Sequence, residues 1–334
     1  MLVCKIMSQH EKADKLLIEA ISKNEMKESI KRSGYLLEQY IENILIKNSY
    51  FVQTNPVYYD ADPKTGLTKA REIDIHAKRF RKLYKDKKEE ISSTLICECK
   101  NNTHPLVFFI KDSKLCQLRY DQSKMAGIPL KIWNKNDYIS LEDFIKIRSF
   151  HHYYLCKLAT QYCSFQKVND KKKWIALHPD EHHDMFTTLI KVTDQYLDFW
   201  FKGWSLPKKL NEEHPVIEMI YPLVVIQGPM YAAFLKRGQL ILQEYNHIIF
   251  RREDILHPAE DAKTYLIDVV TKDYFQKHYL KIIECEMDLA INTLRRKKKV
   301  VFNSINKIVS EAKNAKKQNK TIANFRKYLE YKDN

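Results

Sequence analysis

Apolar residues in this chain recur with two spacings, and the change from one to the other marks out the elements. Ser8-Gln9-His10-Glu11 has the form of a capping box, and Leu16, Leu17, Ala20 and Ile21 after it predict a helix that Gly34 interrupts. From Gly34 onward Leu37, Ile41, Ile44, Leu45 and Asn48 fall on one face at about 100° per residue, which predicts a second helix. Glu38 borders that apolar stripe, and Glu42 lies further toward solvent. A strand is expected near residues 50–58, then a turn-rich loop over 60–68 and two period-two strands ending in the nineties. From Pro105 to Asn211 the pattern becomes mainly helical after a short apolar run at 106–110, with helices expected over 141–161 and 181–204. Strand character returns at 217–226, 240–250 and 265–270, rich in β-branched and aromatic residues, and 274–294 reads as a helix. The order is that of a mixed α/β (α+β) protein.

The two period-two strands carry the chemistry. In Arg71-Glu72-Ile73-Asp74-Ile75-His76-Ala77, alternation puts Ile73 and Ile75 on one face and Glu72, Asp74 and His76 on the other. In Leu95-Ile96-Cys97-Glu98-Cys99-Lys100, Leu95, Cys97 and Cys99 share one face, and Ile96, Glu98 and Lys100 share the opposite one. Residues two apart on a strand lie about 6 to 7 Å apart, so Glu98 and Lys100 can serve one site, and Asp74 joins them if the strands pair. Two carboxylates suit a hard divalent cation, which keeps several waters and needs few protein ligands. Such a cation polarises a phosphodiester and lowers the pKa of a bound water. A lysine beside it can orient the water, act as a base if its pKa is depressed, or neutralise charge on the phosphorane.

These letters resemble the PD-(D/E)XK, or restriction-endonuclease-like, nuclease superfamily: a Gly34-x-x-x-Glu38 helix, an Glu72-Ile73-Asp74 strand and an apolar Glu98-x-Lys100 strand in that order. The acid follows Ile73 where the family name has proline, and a charged insert lengthens the gap between the strands. The resemblance implies a central mixed sheet flanked by helices. It implies Asp74 and Glu98 as metal ligands with the Cys99 carbonyl as a third, Lys100 as the catalytic lysine, Glu38 as an accessory acid, and Mg²⁺, replaceable by Mn²⁺, as the cofactor. It favours DNA over RNA, in restriction, anti-phage defence or repair. A homodimer is a reasonable expectation because cutting both strands often uses two sites, and protein partners from such a defence or repair system are a further one. The rival from another class is a non-catalytic nucleic-acid-binding or scaffold protein that keeps the fold.

On this reading residues 1–33 form an N-terminal helical extension, 34–104 the nuclease core and 105–212 a mainly helical insertion. Residues 213–294 complete the core or form a C-terminal α+β domain, and 295–334 form a basic helical tail. Composition agrees with a folded, polyanion-binding chain: the net charge is +15, and only 6 glycines in 334 residues argue against a turn-rich all-β fold. Lys78, Arg79, Arg81, Lys82 and Lys85, between the two site strands, are expected to grip phosphates from a hairpin beside the metal. A solvated charged hairpin has the same letters. The 7 scattered cysteines lack a C-x-x-C pair and point to a reducing cytoplasm, with Cys97 and Cys99 as core filler. No apolar stretch is expected to span a membrane. His178 and His182, four apart, fit a helix N-terminus better than a metal site. No H-E-x-x-H, Walker-type loop, dinucleotide fingerprint or G-x-S-x-G is present, which leaves protease, nucleotide hydrolase, dehydrogenase and lipase readings unsupported.

Overall fold

A computed structural model describes residues 21–61, 68–84, 90–111, 124–134, 136–168, 173–177, 185–203, 216–254 and 262–317. The Ser8 capping box, Lys85, the 178–184 histidine segment and the tail beyond 317 lie outside them. The first helix described, α1 (Lys23–Arg32), opens on a different capping box: the Ser22 hydroxyl accepts the Glu25 N–H, and the Glu25 carboxylate accepts the Ser22 N–H at 2.8 Å. Helix α2 (Tyr35–Lys47) follows and buries Leu37, Ile41, Ile44 and Leu45, the stripe its spacing predicts.

Among the described residues the centre is a mixed sheet in the order β1-β4-β5-β12-β16-β15-β10-β6-β13-β14, its last four strands being β10 (Leu158–Val168), β6 (Leu106–Lys111), β13 (Met230–Lys236) and β14 (Gln239–Glu244). The strands that matter most are β1 (Phe51–Thr54), β4 (Ile75–Lys82), β5 (Glu90–Lys100), β12 (Val216–Ile226), β15 (His247–Asp254) and β16 (Lys263–Thr271). β4 and β5 are antiparallel, whereas β5, β12 and β16 run parallel. The late strands therefore join the same sheet as the Glu98 strand. Parallel neighbours are buried on both faces, which explains why β12 and the later half of β5 read as continuous apolar runs with few polar interruptions.

Helices cover both faces of the sheet. On one side α2, α5 (Leu280–Arg296) and α6 (Lys298–Lys317) pack Ile41, Ile283, Met287 and Ile305 over Ile75, Leu95, Cys97, Leu223 and Val225. On the other, α4 (Met185–Gly203) packs Phe186, Leu189 and Ile190 over Ile96, Val224, Ile226 and Val269. The expected helices at 181–204 and 274–294 correspond to α4 and to the run through a π-type turn, Phe275–Tyr279, into α5.

The mainly helical insertion at 105–212 is corrected. That stretch carries β6 (Leu106–Lys111), β7 (Lys124–Ile128), β8 (Lys131–Asn134), β9 (Asp137–Ser140), β10 (Leu158–Val168) and β11 (Lys173–Leu177). Of the helix expected over 141–161 only α3 (Leu141–Ile145) forms. Lys146, at φ 60°, ends it in the left-handed region, and the chain then makes short 3₁₀ turns before β10. A buried polar contact overrides the local spacing there, because the His152 ring is held by Asp268 and Glu286. No described helix is long and apolar enough to cross a membrane.

β7 pairs with the first half of β12 through Gly127, whose φ is +113°. A Cβ there would meet the Val216 carbonyl oxygen at 1.9 Å. Gly127→Ala is expected to cost about 2 kcal/mol or more, from strain and displaced pairing together, read as a lower midpoint in urea unfolding.

Candidate active site

β5 alternates as its letters require: Leu95, Cys97 and Cys99 enter the core under α2 and α5, and Ile96 enters the opposite one. Glu98 and Lys100 thus stand on the Ile96 face at the strand's C-terminal end. The Lys100 ammonium donates to Glu98 Oε2. The antiparallel register, Ile75 opposite Cys97, brings Asp74 to the same end, where its Oδ2 accepts the Cys99 backbone N–H at 2.6 Å.

Asp74 is not within a strand, which corrects the expectation of an uninterrupted alternation from Glu72 to His76. β3 (Thr68–Glu72) ends just before it, and Ile73 and Ile75 enter opposite cores, under α4 and α2 respectively. The reason lies in the neighbouring chain. β1 pairs β4, and β2 (Val57–Ala61) pairs β3, so one two-stranded ribbon is folded where Asn55, at φ 48°, precedes Pro56. The bonds Asn55 N–H to Asp74 carbonyl and Ile73 N–H to Pro56 carbonyl bridge the fold. This bend aims the Asp74 carboxylate at β5 and away from its own ribbon.

Glu38, at the start of α2, completes the group. Its carboxyl is raised above the ordinary range by partial burial and by the charge of Asp74, with Lys100 acting the other way. Asp74 is likewise raised by burial, against the pull of the Cys99 N–H and Lys100. Burial opposes charge on Lys100, yet Glu98 and Asp74 outweigh it and hold the ammonium above the ordinary lysine value. Asn101 fastens the α1–α2 junction over this end of the sheet by donating to the Ser33 carbonyl at 3.0 Å.

Glu98 is the most perturbed of the four. Burial lifts its pKa to about 7, with Lys100 pulling it down and Asp74 pushing it further up. A folded pKa above the unfolded 4.5 means that the carboxyl's contribution to stability is complete below about pH 4.5 and is lost as pH rises through about 7. In metal-free protein Glu98→Gln should therefore stabilise the fold by on the order of 3 kcal/mol near pH 8 and by under about 1 near pH 5, measured by urea unfolding with a chelator present. Equal effects at both pH values would mean that Glu98 does not carry the perturbed proton.

No family model, curated protein or solved structure matches this chain. The site is therefore judged on its own chemistry. Its donors suit a hard divalent cation: burial raises Asp74, Glu98 and Glu38, the charge of Asp74 raises the two glutamates further, and an added positive charge offsets both effects. Cys99 presents backbone only, its thiol being buried and its pKa pushed up by burial. In an extended strand one residue's N–H and C=O point toward the same neighbour, so the Cys99 carbonyl faces the Asp74 side, while the Lys100 carbonyl accepts Gln227 N–H on the β12 side.

The expected phosphate-gripping hairpin is placed differently. β4 begins at the site and β5 ends there, so the other ends of the two strands, at the Lys82–Glu90 pair, lie roughly 25 Å of strand away. Lys78 donates to Glu218 at 2.8 Å, Arg79 to Glu284 at 3.2 Å, and Arg81 pairs with Asp288 at 2.7 Å. The Lys82 side chain is exposed, and its carbonyl accepts Arg295. His76 packs on Tyr196, 5.1 Å between ring centroids, and takes no part in the acidic group's bonds.

A second polar cluster escaped sequence reasoning. His151, His152, His247, Asp268 and Glu286 are buried together between β15, β16, α5 and the turn before β10. Burial opposes charge on His152, but Asp268 and Glu286 hold its pKa up at about 10, while burial pushes His151 down to about 4. The available signal was polar residues inside apolar runs, Asp268 between Ile267 and Val269 and Glu286 within an amphipathic helix.

Proposed function

We propose that this chain is a metal-dependent nuclease with a restriction-endonuclease-like core, cutting phosphodiester bonds in DNA with Mg²⁺ bound by Asp74, Glu98 and the Cys99 carbonyl. The observation that carries this reading is the meeting of Asp74, Glu98, Lys100 and Glu38 at one end of β5. These residues come from three separate elements, and a sheet needs no buried, mutually repelling acids for its own stability. When bound, the cation would supply Lewis-acid polarisation of the phosphate and a water of lowered pKa.

The chain's own residues divide the remaining work. Asp74, held by the Cys99 N–H, keeps one oxygen fixed and the other available. Glu98 must lose its proton before it can hold a cation, so metal affinity rises with pH through about 7. Lys100 retains its proton, which suits it to orient a nucleophile or neutralise the phosphorane more than to act as a base. Glu38 can take a proton or bind a water at the rim. A net charge of +15 favours the approach of a polyanion.

The test is incubation of the purified chain with supercoiled, linear and single-stranded DNA and with RNA, each with Mg²⁺, Mn²⁺ or chelator. Cutting of DNA that needs the divalent ion supports the proposal. Tight binding without cutting across the whole panel would instead favour the non-catalytic nucleic-acid-binding reading, and cutting of RNA alone would overturn the substrate.

A further inference from the structure

Behind the candidate active site, through the sheet, lies the buried histidine–carboxylate cluster. Parallel register puts Cys97, Leu223 and Asp268 side by side on β5, β12 and β16, so Asp268 is about 10 Å from Cys97 across the ladder, on the face turned away from Glu98. From this second cluster we infer a transition-metal site, separate from the proposed Mg²⁺ site, in which His152 Nε2, His247 Nε2 and an Asp268 oxygen bind a first-row divalent ion such as zinc.

Convergence is the first argument. His152 Nε2 and His247 Nε2 both point at the same atom, Asp268 Oδ1, at 2.9 and 2.7 Å. All three residues are buried, and their ligand atoms lie within 4.8 Å of one another. Ligand atoms on a tetrahedral zinc, with bonds near 2.0 Å, stand about 3.3 Å apart, so binding asks each nitrogen to draw back from the Asp268 oxygen by about half an ångström.

Every ligand is also braced from behind, as metal ligands are. The other nitrogen of His152, Nδ1, is 2.7 Å from Glu286 Oε1, which sets the tautomer that frees Nε2. His247 Nδ1 rests on Cys156 Sγ at 3.6 Å. Asp268 Oδ2 accepts the Tyr279 hydroxyl at 2.6 Å, and Glu286 accepts that of Tyr221 at 3.1 Å. The buried Tyr153 hydroxyl lies beside Asp268, close enough to interact with its carboxylate.

Charge is the third argument. Asp268 and Glu286 bring two negative charges into the core, and neutrality requires two positive ones. Two imidazolium rings would supply them only by facing each other, 5.4 Å between centroids, with both N–H groups on one oxygen. One divalent ion between neutral imidazoles supplies the same charge and removes that repulsion. His151 does not join this set: its Nδ1 accepts the Tyr153 N–H at 3.2 Å, and its Nε2 stays 3.6 Å from Glu286. A cleft of about 370 Å³ lined by Phe150, Tyr274, Cys285, Glu286 and Leu289 borders the cluster on its Glu286 side.

The test uses the untagged full chain, expressed with zinc in the medium and dialysed against a metal-scavenging resin, with metals counted by plasma mass spectrometry. About one equivalent of zinc or another first-row ion is expected per folded chain, retained in Asp74→Asn and reduced at least tenfold in His247→Gln and Asp268→Asn. Should those variants fail to fold, X-ray absorption on the wild-type chain decides: two imidazoles in an all-N/O shell support the site. Absence of a bound ion from folded wild-type chain, retention of it by a folded Asp268→Asn variant, or a shell without imidazole would overturn the inference.

Discussion

Asp74→Asn is expected to lower the Mg²⁺-dependent cleavage rate by about 10³-fold, and Lys100→Met by about 10²- to 10³-fold, with DNA affinity measured in Ca²⁺ largely unchanged. Asparagine keeps the bond from the Cys99 N–H and so keeps the bend at Asn55–Pro56, but it removes the charge that a cation requires. Methionine fills the Lys100 volume without an ammonium. It also removes the positive charge that lowers Glu98, so that carboxyl rises further above about 7 and any residual activity should shift to higher pH. Single-turnover rates across pH separate the two: Asp74→Asn scales the profile down and, by removing a charge that raises Glu98, moves its acidic limb to lower pH, whereas Lys100→Met moves that limb upward. Undiminished cleavage in both variants would remove these residues from the site.

What the letters disclosed about this site follows from where its determinants lie. The faces of β5 were legible because alternation is local and both faces of the strand are buried, so Cys97 and Cys99 had to part from Glu98 and Lys100. The stripe on α2 was legible for the same reason, and with it the placing of Glu38. The bend at Asp74 was not read, although Asn55-Pro56 is a recognised turn signal. It acts on Asp74 through a pairing that no single strand reveals. That the basic run leads away from the site follows from the order of the motifs alone: an acid at the start of one strand and another at the end of its antiparallel neighbour put Lys82 and Glu90 far from both acids.

Other features were beyond local patterning. The stretch after Lys146 has apolar spacing compatible with a helix, but Lys146 leaves the helical region and His152 is held by residues more than a hundred positions away. The strands of 105–212 pair mainly with distant partners, β6 with β10 and β13, and β7 with β12, which is where propensity loses to tertiary context. The basic run on β4 is the clearest case. Its letters suit a phosphate-binding edge, and the residues that engage it, Glu218, Glu284 and Asp288, come from β12 and α5.

Lys78 decides between those two uses of the basic run. The Glu218 side chain is fully buried, and its carboxylate accepts Lys78 Nζ at 2.8 Å, the Tyr196 hydroxyl at 2.7 Å and the Thr94 hydroxyl. Lys78→Ala leaves this carboxylate with two neutral donors and no counter-charge, for an expected loss of about 3 to 5 kcal/mol in urea unfolding. The double variant Lys78→Met with Glu218→Gln should recover most of that loss, because an amide can still bond Tyr196 and Thr94 without a buried charge. Arg81→Ala breaks a pair whose Asp288 partner is half exposed and should cost under about 1 kcal/mol. If Lys78→Ala instead kept its stability and weakened DNA binding with a shallower salt dependence, the lysine would be a phosphate contact and its bond to Glu218 incidental. The ordering of the three stabilities therefore tests whether β4 spends its positive charge inside the fold or on a polyanion.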